Sequence, residues 1–184
     1  MVAGGFEGFQ HLSVVQVLDI NSREWFYASP LPSPISHVST ATIGNMFYLV
    51  GGFKTKGANI VAPNDQVLSV CLPDLILRAI TRDVSSDPSS CSALWQSLQP
   101  LSANPYSTAV AVNETLLAVG GIHSSTSDIH LYRASTKKWI KVGELPTGRS
   151  QCACALLPSG EIFVAGGDAR GSEQKVDIAQ VIFN

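Results

Sequence analysis

Short apolar runs, each closed by a pair of glycines, punctuate this chain. The pairs are Gly4-Gly5, Gly51-Gly52, Gly120-Gly121 and Gly166-Gly167. Three follow runs of strand-like composition, Met46 to Val50, Leu116 to Val119 and Ile162 to Ala165; the first has only Met1 to Ala3 before it. The first glycines lie 47, 69 and 46 residues apart, so the middle interval is one period plus an insert of roughly 22 residues. A period of this length marks a stack of supersecondary units, and with strand-rich units it predicts propeller blades.

The polar and apolar order after each pair repeats as well. After Gly5 come a polar loop, the alternating Val14 to Asp19, a turn at Asn21-Ser22, then Trp25, a Pro-rich bend at Pro30-Leu31-Pro32 and a second alternating stretch, Val38 to Ile43. After Gly121 the same order runs through Ile129 to Tyr132, Trp139, Pro146 and Cys152 to Leu157. After Gly52 it runs through Val67 to Val70, Trp95, Pro100 and Ser107 to Val112, once the insert is removed. All three tryptophans of the chain therefore share one repeat position. Lettering the strands of a unit a to d, strand b falls at 1–5, 46–52, 116–121 and 161–167. Strand c falls near 14–19, 66–72, 128–133 and 176–183; strand d near 24–28, 93–98 and 138–142; strand a near 37–43, 107–113 and 151–157. Gly44-Asn45, Asn113-Glu114 and Ser159-Gly160 supply the tight a-to-b turns. Within the insert, Asp74 to Ile80 has the composition of a short helical turn, and Asp83 to Ser90 is polar; a loop of this kind is expected to be dispensable.

This pattern resembles the kelch repeat, in which a diglycine ends the second strand of a four-stranded blade and a Trp lies on the fourth. Gly4, Gly5, Gly51, Gly52, Gly120, Gly121, Gly166 and Gly167 match the first element, and Trp25, Trp95 and Trp139 the second. The Tyr-Asp element survives in halves, as Leu18-Asp19 and Tyr132-Arg133, and the Arg of the bend only as Arg149. The resemblance implies an all-β fold, a kelch-type β-propeller fragment of four-stranded antiparallel blades. The units run at about 1–45, 46–115 (with the insert at 73–93), 116–160 and 161–184, the last incomplete. That is roughly three and a half blades where propellers have four to eight. Further blades from a longer parent chain, or a second copy, would complete a ring. Because glycine in a strand marks close approach of another group, and Trp needs a flat partner, each Trp is expected to pack on or near a diglycine as blade core.

Composition narrows the functional classes. The chain has 184 residues, 45% hydrophobic and 14% charged, with a net charge of −2. It offers no basic footprint for nucleic acid and no apolar run long enough to span a membrane. No signal-peptide pattern appears, which points to a cytoplasmic protein. Phosphate-cradling GxGxxG and GxxxxGK[ST] patterns are absent, as are HExxH and GxSxG. The four cysteines are Cys71, Cys91, Cys152 and Cys154. Cys152 and Cys154 alternate on one strand and so share a face; Cys71 and Cys91 flank the insert, where an oxidising compartment would allow a bridge. Four reduced, buried thiols are the expectation for a cytosolic protein. No metal or other cofactor is expected.

The expected function is that of a non-catalytic protein-binding module or scaffold. The resemblance implies that its b–c and d–a loops emerge on one propeller face, and loops on a rigid scaffold carry function. On that face the candidate contacts to a partner protein or peptide are Phe53, Lys54, Lys56, Tyr106, His123, Arg149, Asp168 and Arg170, with the basic residues suiting an acidic peptide. The alternative is a fragment of a catalytic propeller, galactose oxidase-like or sialidase-like, whose active-site residues lie outside this chain.

Overall fold

The computed structural model describes residues 1–8, 10–56, 60–81, 94–101, 107–112, 115–121, 127–133, 136–168 and 176–180. Four antiparallel sheets follow one another along it. Blade 1 contains β1 (Val2–Ala3), a small two-stranded ribbon of β2 (Phe6–Glu7) and β3 (Gln10–His11), then β4 (Val15–Leu18) and β5 (Trp25–Ala28), paired in the order β1-β4-β5. Blade 2 contains β6 (Ser39–Ile43), β7 (Met46–Val50), the ribbon β8 (Phe53–Lys56) and β9 (Ile60–Pro63), β10 (Val67–Cys71), helix α1 (Leu72–Thr81) and β11 (Gln96–Leu98). Its sheet order is β6-β7-β10-β11. Blade 3 is a four-strand meander: β12 (Thr108–Val112), β13 (Thr115–Val119), β14 (Asp128–Arg133) and β15 (Lys138–Glu144). Blade 4 has β16 (Ala153–Leu156), β17 (Glu161–Ala165) and β18 (Val176–Gln180). Among the described residues, blade 1 thus lacks an a strand and blade 4 a d strand. The a strands β6, β12 and β16 stand side by side, with β12 between the other two.

The sequence pattern explains the stacking. Strand side chains alternate between faces, and the inner strands here are apolar on both. Phe47 and Leu49 of β7 turn toward blade 1, where they meet Val15, Ala28, Leu31 and Ile35. Val50, one residue on, turns toward blade 3 and packs with Ala109, Leu116 and Ala118. In β13, Leu117 and Val119 face the other way, onto Ile162 and Val164 of blade 4. Each hydrophobic cluster is therefore an interface between two blades, and no blade can bury its apolar faces alone.

The tryptophans tie these interfaces together in a way the sequence does not disclose. The indole N–H of Trp95 donates to the Ser29 carbonyl of blade 1 at 3.2 Å. That of Trp139 donates to the Gln99 carbonyl of blade 2 at 3.1 Å. Ser29 lies four residues after Trp25, and Gln99 four residues after Trp95. Each Trp thus caps the carbonyl that follows its counterpart in the preceding blade. Trp25 is 53% exposed, against 6% for Trp95, so the expectation that all three tryptophans are blade core is not met at Trp25.

The insert is also more than a loop. Its first part forms the ten-residue helix α1, longer than the single turn expected. Leu75 and Ala79, four residues apart on one helix face, are buried against β5 of blade 1 and the inner strands of blade 2. The remainder, including the Asp83–Ser90 stretch and Cys91, lies outside the described residues. The helix therefore packs over the blade 1–blade 2 seam, and removing it is expected to destabilise that seam.

Two stability contrasts follow. Trp95→Ala should cost about 3–5 kcal/mol by urea denaturation, as for other buried aromatics, whereas Trp25→Ala should stay within about 0.5 kcal/mol, as an exposed position does. Leu75→Ala should cost about 2–5 kcal/mol; an unchanged midpoint would mean that α1 is detached from the seam.

Candidate functional site

The residues that position the loop face sit at the bend from a d strand into the next a strand. Ile35 and Arg149 are repeat-equivalent there, followed by Ser36 and Ser150. The Gly5 amide of blade 1 donates to the Ile35 carbonyl at 2.9 Å, and the Gly121 amide of blade 3 to the Arg149 carbonyl at 3.1 Å. One residue on, Ser36 exchanges both backbone hydrogen bonds with Phe53, at 2.8 and 2.9 Å, and Ser150 does so with Asp168, at 2.8 and 3.0 Å. The bend is gripped on one side by the diglycine of the blade before it and on the other by the residue after the diglycine of its own blade.

At Gly4, Gly52 and Gly167 this grip requires glycine. Gly52 and Gly167 both have φ +87°, and a Cβ on either would overlap the carbonyl oxygen of the gripped serine, Ser36 or Ser150. A Cβ on Gly4, at φ +68°, would come within 2.5 Å of the Ile35 carbonyl oxygen. The partner that needs the space is thus the backbone of the bend and not an overlying Trp, which corrects the sequence-based expectation.

Immediately after the bend, His37 and Gln151 take the left-handed conformation, both at φ +53°. Non-glycine residues adopt it rarely, and such strain gathers at functional positions. Both side chains line a cavity of about 260 Å³ with Val38, Ser39, Ser107, Thr108 and Cys152. The cavity lies where the three a strands meet. Side chains cross between them: the Ala109 amide donates to Ser39 Oγ at 2.7 Å, and the Thr108 hydroxyl donates to the Cys152 carbonyl.

Ser36 stands between two imidazoles, with Oγ 2.8 Å from His11 Nδ1 and 2.7 Å from His37 Nδ1. A hydroxyl carries one proton, so Ser36 donates to one ring and accepts an N–H from the other. The rings are further held edge-on by Phe6, at 5.2 Å from His11, and by Phe53, at 5.9 Å from His37. Ser36 itself is buried. Its hydroxyl therefore locks the b–c ribbon of blade 1 to the bend and has no room to meet a substrate.

On β16 and the residue before it, Cys152 and Cys154 share a face, and both are free thiols. A hydrogen bond from Cys154 holds the Cys152 thiol below its ordinary value, against burial; a backbone hydrogen bond and the Arg149 charge add to the effect. Cys154, as the donor, is pushed upward.

The residues chosen from sequence divide into three groups. Lys54 is half-buried and Asp168 exposed on the loop side, and Lys56 ends β8. Tyr106, His123 and Arg170 lie outside the described residues. Phe53 and Arg149 are corrected: neither is a surface contact. Phe53 is 7% exposed because its backbone closes the grip and its ring turns onto His37. Arg149 is 3% exposed because it occupies the inward position that Ile35 fills in the earlier bend, and its Nη1 donates to the Gly166 carbonyl at 2.8 Å. The buried Asn64 does the same for the equivalent Gly51 carbonyl, at 2.9 Å. Sequence reasoning missed Ser36, His37 and Gln151 as a group. The available signal was the serine shared by Ile35-Ser36-His37-Val38 and Arg149-Ser150-Gln151-Cys152.

Comparison with known proteins meets this geometry directly. The family profile "Kelch motif" matches residues 104–146, the segment that holds blade 3 from its a strand to its d strand. The chain resembles kelch-repeat propellers, and the matching motif falls on blade 3. Human Kelch-like protein 34 is 25% identical over 162 residues, covering 86% of this chain and 24% of that protein. The solved structure of YjhT superimposes with a TM-score of 0.66 at 19% identity, covering 91% of this chain and 49% of YjhT. The chain therefore spans about a quarter of the human relative and about half of YjhT.

The grip makes glycine substitutions sharply position-dependent. Gly52→Ala combines the left-handed backbone, about 1–2 kcal/mol, with overlap onto Ser36 and should abolish cooperative unfolding or lower stability by more than about 3 kcal/mol. Gly44→Ala, in an open turn at φ +54° with nothing nearby, should cost only about 1–2 kcal/mol. Alkylation of Cys152 by iodoacetamide, followed by peptide mass spectrometry, should reach half its plateau rate well below the pH of an ordinary cysteine, because the thiolate is the reactive form and it persists above the lowered value. A midpoint at about 8.5, that of an ordinary cysteine, would contradict the Cys154 hydrogen bond.

Proposed function

We propose that this chain is a non-catalytic protein-binding module that takes a partner peptide on the face carrying the bends and the b–c ribbons. The kelch repeats and the resemblance to a human Kelch-like protein support a protein-interaction role. The observation that carries the choice of face is the backbone grip. It fixes the first bend to the ribbons β2–β3 and β8–β9, and the second bend to Gly121 and Asp168. A rigid presentation of this kind lowers the ordering cost of association.

With Arg149 and Phe53 assigned to the framework, the partner contacts proposed here are Lys54, Lys56, Tyr106, His123, Asp168 and Arg170, joined by the exposed His37 and Gln151 beside the cavity. Lys54, Lys56 and Arg170 favour an acidic peptide, with an attraction that acts mainly on encounter rate and weakens with salt. A cytoplasmic setting accords with the free thiols Cys71, Cys152 and Cys154. Among the described residues no helix is long and apolar enough to cross a membrane.

A peptide-display selection against the whole chain tests the reading. Recovered peptides should be acidic. Lys54→Ala with Lys56→Ala and Arg170→Ala should weaken them at least about tenfold, equal to about 1.4 kcal/mol, with a reduced salt dependence and an unchanged unfolding midpoint. Peptides that ignore those changes but are lost on Ile20→Asp or Tyr27→Asp, on the outer side of blade 1, would move the binding surface away from the bends.

A further inference from the structure

Helix α1 leaves an apolar space beside the seam that it packs over. Leu75 and Ala79 are buried in that seam. Ile76 and Ile80 repeat the same four-residue spacing one position further round the helix, but they do not find the same packing. With Ala79 they face Val17, Leu18 and Phe26 of the outer strands β4 and β5 across a cavity of about 410 Å³. Val17 and Phe26 also pack against the seam cluster, so this wall belongs to the framework. Ile80 and Leu18 stay open to solvent, at 54% and 38%.

The polar part of the lining comes from the turn that follows β4, through Asp19 and Asn21. The Asn21 amide donates to Asp19 Oδ1 at 2.8 Å and fixes the half-buried carboxylate. Among the described residues no cation pairs with it; the ion pairs there are those of Lys141 with Asp128 and Glu144. Nor does the turn require an acid. Strand pairing sets Leu18 against Trp25 in blade 1 and Tyr132 against Trp139 in blade 3, which makes Arg133 the counterpart of Asp19.

We propose that this cavity binds a small organic cation, an apolar aliphatic or aromatic body carrying one ammonium group. The body lies between Val17, Phe26, Ile76 and Ile80, and the ammonium meets Asp19. The volume is in the range of small-ligand pockets, which are largely apolar with a few polar groups that set orientation. The described lining has nine residues, against about 20–30 a side in a protein–protein interface. Charge selects the ligand. An anion is repelled by Asp19, and a neutral apolar ligand strips water from the carboxylate without replacing its hydrogen bonds. An ammonium replaces them with a charge-assisted bond. The site does not depend on the peptide face at the bends.

The test titrates the whole isotope-labelled chain, followed by amide NMR, with three probes of similar shape: phenethylamine, phenethyl alcohol and phenylacetate. Phenethylamine should give saturable shifts at the amides of Leu18, Ile20, Asn21 and Ile80. It should bind about tenfold more tightly than the alcohol, the scale of one charge-assisted hydrogen bond, and phenylacetate should not bind. Asp19→Asn keeps an acceptor for the Asn21 amide and removes the charge, so it should bring the amine down to the affinity of the alcohol. Ile80→Gln should weaken amine and alcohol alike. Should the Asp19 variant fail to fold, the ranking of the three probes on the native chain still decides the matter. Equal affinity for amine and alcohol, an amine preference that survives Asp19→Asn, or shifts confined to amides outside the cavity would overturn the proposal.

Discussion

Everything in this structure depends on how the chain is held as it leaves one blade and enters the next. The bend at Ile35-Ser36, and again at Arg149-Ser150, is fixed by backbone hydrogen bonds on both sides. One set comes from the diglycine of the blade just completed, the other from the residue after the diglycine of the blade about to form. Only residues without a Cβ let the strands approach this closely. The apolar faces then meet in register, so that Phe47 and Leu49 face one blade while Val50 faces the next. The indoles of Trp95 and Trp139 repeat the connection at the outer strands.

Much of this was legible in the sequence because it depends on periodicity. The diglycine interval, the single Trp per unit and the alternation of the inner strands mark the blades, and the strands form where those signals place them, from Met46–Val50 to Glu161–Ala165. What the pattern could not convey is which group fills a given space. A strand glycine announces a close neighbour without naming it. Trp was the natural candidate, but the neighbour is the carbonyl of Ser36 or Ser150. Trp25 looks identical to Trp95 in sequence, yet it is exposed where Trp95 is buried with its indole on the Ser29 carbonyl.

The candidate site was harder to read for a related reason. Charge and aromaticity in a loop suggest exposure, yet Arg149 stands in the inward position of Ile35, and Phe53 closes the grip. Direction along the bend is set by tertiary hydrogen bonds, which local composition does not encode. Helix α1 shows the same limit. The spacing of Leu75 and Ala79 is helical, but only the seam between blades 1 and 2 explains why the helix persists for ten residues. The residues brought together beside the a strands, His11, Ser36, His37, Gln151 and Cys152, come from three separate segments, and their rigidity is that of the bends.

Amide hydrogen exchange, read residue by residue, tests the grip most directly. If the bends are the fixed points of the structure, the amides of Gly5, Ser36, Phe53, Gly121, Ser150 and Asp168 will exchange only with the cooperative unfolding of the chain, as slowly as those of β7 and β13. Exchange of these six amides at the rate of exposed loops, while β7 and β13 remain protected, would show that the bends open freely and that the blades are held together without them.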